Sequence, residues 1–177
     1  MSDLSQETER LLLDAAGFRE LGMIEDSAAC MALIPKQEAD HPAVLLAWCE
    51  TDAACQDWPS ARDRARMLTA AAPTLAAGWF WLGYALRRSE SPAAACQALR
   101  PVVREFTNDP VVEYNFACYA CLDGQFDEAK EALERVFIAN PEWRDCALKD
   151  EDLVPIRDWV QAFGGAECQS NGPKTQA

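Results

Sequence analysis

Large, small and polar positions recur along this chain at intervals of 34 residues. Ala61, Ala95 and Ala129 each follow a short turn. Trp48, Leu82 and Phe116 are large, and the residues after them, Cys49, Gly83 and Ala117, are all small. Trp58, Pro92 and Phe126 open a second apolar segment in each unit, and Leu68, Val102 and Val136 lie seven residues past the alanines. Pro73, Thr107 and Pro141 occupy the ends. Large residues at helical spacing, with small ones where two backbones must approach, predict a pair of antiparallel helices in each unit. Neither helix of such a pair can bury its apolar face alone, so the units are expected to stack.

Local punctuation agrees with this division. Ser91 before Pro92, and Asp57 before Trp58 and Pro59, pair an N-cap with a first turn that tolerates proline. Gly124 falls where the turn between helices needs a residue that accepts positive φ. The clear units span residues 42–75, 76–109 and 110–143. A degenerate unit is expected over about 8–41, where Leu11, Ala15, Phe18, Gly22, Ile24 and Ile34 sit near the repeat positions and Ser27 replaces the alanine. Leu153, Ile156, Trp159, Val160 and Phe163 share one helical stripe, predicting a capping helix over about 152–163. The whole of 1–163 is then one all-α domain, and 164–177 reads as a frayed tail.

With these positions, the chain resembles the tetratricopeptide repeat family, whose period is also 34 residues. Residues 111–141 (VVEYNFACYACLDGQFDEAKEALERVFIANP) follow the family pattern throughout, and Trp79, Leu82, Gly83, Ala95 and Ala98 fit it in the second unit. The first unit is looser, with Trp48 and Cys49 in place of the commoner Leu-Gly. The resemblance implies an α-α superhelix whose first helices line a concave groove for a peptide or helix of another protein. Mapped onto this chain, the groove would present Leu46 and Glu50, then Phe80, Tyr84, Arg87 and Arg88, then Tyr114, Asn115, Cys118 and Cys121. Phe80, Tyr84 and Arg88 are the expected centre, because aromatic residues and arginine dominate interface energetics. Internal packing against the terminal helices is the competing role for Phe80 and Tyr84. Family members that grip a partner's C-terminal carboxylate use Lys, Asn, Asn, Lys and Arg. Leu46, Glu50, Trp81, Val111 and Asn115 stand at those positions, so that clamp is not expected.

Charge narrows the partners. Asp and Glu number 29 against 16 Lys and Arg, a formal charge of -13. This balance disfavours nucleic acid and anionic membrane surfaces and suits basic or neutral partners, besides keeping a surface soluble. The opening residues show no leader pattern, and no run of 18 apolar residues marks a spanning helix. Eight cysteines without a leader read as reduced thiols, so a cytoplasmic location is expected.

Candidate chemistry is sparse. Cys118 and Cys121 form a CxxC, but zinc would need a second ligand pair and the chain has one histidine, His41. A redox pair would place its first cysteine at a helix N-terminus, whereas both lie mid-helix in the third unit. They therefore read as small helix-packing or groove-lining residues. His41 precedes Pro42 and suits a helix start. Asp150, Glu151 and Asp152 read as a solvated helix start, favoured by the dipole. No phosphate-binding loop, dinucleotide turn, nucleophile elbow or HExxH occurs. The expectation is a non-enzymatic interaction module without cofactor or metal. A dedicated chaperone resembling small three-repeat bacterial secretion chaperones is the alternative, a regulatory or catalytic role is the remote one, and a homodimer through the N-terminal unit is possible.

Overall fold

Turns between paired helices display the repeat most directly. In the computed structural model, which describes residues 3–106 and 109–164, the backbone N–H of Met23, Asp57, Ser91 and Gln125 each donates to a carbonyl five residues back. The acceptors are Phe18, Asp52, Leu86 and Ala120, at 2.8, 2.8, 3.1 and 2.8 Å. This six-to-one bond closes the C-terminus of a helix. A second helix then starts at Ile24, Trp58, Pro92 and Phe126. The same 34-residue register thus runs through four hairpins, including the N-terminal one with its degenerate sequence.

Positive φ occurs at Gly22 (74°), Gln56 (60°) and Gly124 (78°) within these turns. Gln56 bears a Cβ where Gly22 and Gly124 carry none, while the equivalent Glu90 keeps a negative φ of -129°, and a left-handed conformation is costly for an L-residue. Gln56→Gly is therefore expected to raise stability by about 0.5–1 kcal/mol, the relieved strain being partly offset by chain entropy. A urea unfolding midpoint equal to or below wild type would contradict this.

Among the described residues there are ten α-helices and no strand. The hairpins are α1 (Gln6–Glu20) with α2 (Ile24–Ala32), α3 (Pro42–Ala54) with α4 (Trp58–Ala71), α5 (Ala76–Ser89) with α6 (Pro92–Leu99), and α7 (Val111–Leu122) with α8 (Phe126–Ala139). Side chains of Ser5, His41, Asp57 and Ser91 cap α1, α3, α4 and α6, each accepting from a nearby backbone N–H. Successive helices pack together, and α1 also touches α3, α3 touches α5, and α5 touches α7. Of the eight hairpin helices, the odd-numbered α1, α3, α5 and α7 form one layer, with α2, α4, α6 and α8 behind it.

Repeat positions supply the core. Ser27, Ala61, Ala95 and Ala129 are all fully buried, as are Ala15, Cys49 and Ala117. The Ser27 hydroxyl lies 3.4 Å from the Thr51 hydroxyl, which satisfies the polar atom that replaces the alanine. Gly83 stands where Leu99 and Tyr119 converge: a Cβ there would meet Leu99 Cδ1 at 2.8 Å and Tyr119 Cε2 at 3.0 Å. Two apolar clusters result, a small one over α1–α3 and a large one from Leu45 to Val160.

Two expectations need correction. The second unit's second helix stops at Leu99, and residues 100–105 turn irregularly. Pro101 lacks an N–H and its ring would crowd the carbonyl four residues back. The register slips by one, so Val103 is buried in place of the predicted Val102. The C-terminal cap is also not one helix over 152–163. It comprises α9 (Trp143–Lys149), a 3-10 segment (Glu151–Ile156) and α10 (Arg157–Ala162). Pro155 disfavours α-helical geometry at Val154, and the tighter turn accommodates it. Leu153, Ile156 and Val160 are buried as the stripe requires. Thr107, and the tail from residue 165 onward, lie outside the described residues.

Candidate protein-binding surface

The exposed centre of the odd-helix layer is aromatic. Phe80 and Tyr84, one turn apart on α5, stack with ring centroids 5.9 Å apart and planes 9° from parallel. Trp81 meets both edge-on, at 5.1 Å from Phe80 and 6.1 Å from Tyr84. Trp58, at the start of α4, packs edge-on against Tyr84 at 5.5 Å. All four are half-buried. Arg88 is exposed and lies over Trp58 and Tyr84, its guanidinium carbon 5.3 and 5.2 Å from their centroids. It also donates to the Tyr84 hydroxyl at 3.1 Å. Stacking of this kind holds the rings in fixed orientations while their faces remain partly accessible.

Other expected groove residues are differently placed. Leu46 is half-buried and leans on the large cluster. Glu50 forms an ion pair with Arg19 of α1, which also donates to the Thr51 hydroxyl at 3.3 Å. Asn115 donates to the Val111 carbonyl at 2.8 Å and is engaged within its own helix. Tyr114, Cys118 and Cys121 are buried, covered by the chain's own C-terminal segment. The Tyr114 hydroxyl donates to Asp150 Oδ2 at 2.9 Å, and its ring lies 4.8 Å from Trp143. Arg87 donates to Asp152 Oδ1 at 2.6 Å. Thus Phe80, Tyr84 and Arg88 come together at an accessible surface, while Arg87, Tyr114 and Cys118 anchor the cap.

The acid run is correspondingly less solvated than its composition suggests. Asp150 does begin the 3-10 segment, accepting from the Asp152 N–H at 2.9 Å, but Asp150 and Asp152 are half-buried against α5 and α7. Burial raises the Asp152 carboxyl, and Arg87 counters this. Cys118, Asp150 and Asp152 place three donor atoms within 4.8 Å of one another. Burial, reinforced by the Asp150 charge, pushes the Cys118 thiol well above its usual range, so it is protonated and donates to Asp150 at 3.5 Å. With Tyr114 and Arg87 holding the two carboxylates, the trio acts as a hydrogen-bonded anchor. The seven cysteines among the described residues are free.

Sequence reasoning did not assign Trp58 and Arg19 to this surface, or Asp150 and Asp152 to its occupied end. Trp58 carried a usable signal: it stands at a repeat position filled by Pro92 and Phe126 elsewhere. Contacts of Arg19 and the two aspartates span more than 30 residues and leave no periodic trace. No protein-family model and no curated protein matches the chain. No helix among the described residues is long and apolar enough to cross a membrane.

Proposed function

We propose that this protein is a tetratricopeptide-like interaction module that binds a segment of another protein along its odd-helix face. Four in-register hairpins make the family resemblance more extensive than the three clear sequence units. The observation that carries the binding reading is the half-exposed cluster of Phe80, Tyr84, Trp58 and Arg88. These residue types supply interface hot spots, and rings already stacked lose little conformational freedom on binding. The C-terminal segment covers the α7 end, which leaves the surface of α3 and α5 for the partner. The role is non-catalytic, with binding energy concentrated in few side chains. Phe80→Ala with Tyr84→Ala is expected to reduce partner capture at least tenfold while costing only about 1–3 kcal/mol of stability, as both side chains are half-exposed. Affinity purification of wild type and double variant, with mass spectrometry and parallel thermal melts, checks this. Equal recovery of the same partners by a folded double variant would overturn it.

A further inference from the structure

Two consecutive arginines on α5 differ in one respect. Arg87 holds a carboxylate, that of Asp152, supplied by the chain's own C-terminal segment. Arg88 has no carboxylate within ion-pair distance among the described residues; its contacts are the Tyr84 hydroxyl and the faces of Trp58 and Tyr84. Nearby acids are already committed: Glu50 to Arg19, Glu90 to Arg62 and Arg66, and Asp152 to Arg87.

The covered end of the same layer shows what this surface grips. There a tyrosine and an arginine take two aspartate side chains, Tyr114 holding Asp150 and Arg87 holding Asp152. Leu153 and Ile156, next along that segment, are buried beneath them. The uncovered end offers the same donors, Tyr84 and Arg88, with apolar seats at Phe80 and Leu46. Those two residues occupy one repeat position in adjacent units.

Resting on the binding role proposed above, we infer that the partner segment carries an Asp or Glu side chain that pairs with Arg88, adjacent to an apolar side chain seated on Phe80. The pair would be partly shielded by Trp58 and Tyr84, where a charge-assisted hydrogen bond is stronger than at an open surface. With a net charge of -13 on the chain, a segment with one acid flanked by neutral or basic residues fits better than a strongly acidic one.

A displayed random heptapeptide library selected on the full chain tests this, with enriched sequences resynthesised as fluorescein-labelled, C-terminally amidated peptides. The expected result is an Asp or Glu beside an aromatic or aliphatic residue. Exchanging that acid for its amide should weaken binding to wild type about tenfold but scarcely alter binding to Arg88→Gln. Arg88→Glu should prefer the Lys-substituted peptide. An equal amide effect on wild type and Arg88→Gln, selection of basic peptides, or binding only by free-acid peptides would overturn the inference. Peptides sensitive to Phe80→Ala but indifferent to Arg88→Glu would remove the carboxylate and leave the binding surface. No enrichment beyond that on the Phe80→Ala, Tyr84→Ala variant would remove both. Concentration-dependent self-association lost in Arg88→Glu would assign the surface to a second copy instead.

Discussion

Gly83→Trp is expected to abolish cooperative melting and most of the helical signal. The position lies where α5 crosses α6 and α7, and a single added Cβ already comes within 2.8 Å of Leu99 and 3.0 Å of Tyr119. Both neighbours are fully buried in the large cluster, so neither can swing away without displacing others. Close-packed interiors accommodate one extra methylene at about 1–3 kcal/mol, and an indole far exceeds that allowance. Gly83→Ala provides the graded form. Alanine gains about 1 kcal/mol of helix propensity, so its net cost should be no more than about 2 kcal/mol. Circular dichroism through a thermal ramp reads both variants. Unchanged helicity and melting in the tryptophan variant would refute the packing of the second unit against the third.

The second large effect concerns the C-terminal segment. Leu153 is fully inaccessible and belongs to the same cluster as α5 and α7. Leu153→Ala should cost about 2–5 kcal/mol, combining lost burial with the cavity left behind. It should also loosen the cover over Tyr114 and Cys118. Alkylation mapped by mass spectrometry would then show Cys118 modified faster than in wild type, while exposed Cys55 and Cys146 react alike in both. An unchanged urea midpoint, with Cys118 still protected, would mean that the segment is not part of the core.

Much of the architecture was legible because it is periodic. The helix starts at Trp58, Pro92 and Phe126 stand where the repeat placed them, and the aligned alanines are buried. Proline produced both departures. Pro101 cut α6 short and moved burial to Val103, while Pro155 turned part of the expected capping helix into a 3-10 segment. The candidate surface was harder to read, since the repeat assigns the same role to positions with different fates. Phe80 and Tyr114 are 34 residues apart in equivalent places; one remains partly accessible and the other lies under Asp150 and Trp143. That distinction comes from a segment outside the repeat, whose helical stripe predicts a buried face but not which helices it covers. Arg87 and Arg88 are separated by the same contact.

Hydrogen–deuterium exchange, with and without a partner captured by the wild-type chain, tests the binding role most directly. Protection should rise in α3 and α5 around Leu46, Phe80, Tyr84 and Arg88, with little change in α6 and α8. Protection confined to the even-numbered helices, or unaltered at α5 by a bound partner, would contradict the proposed surface.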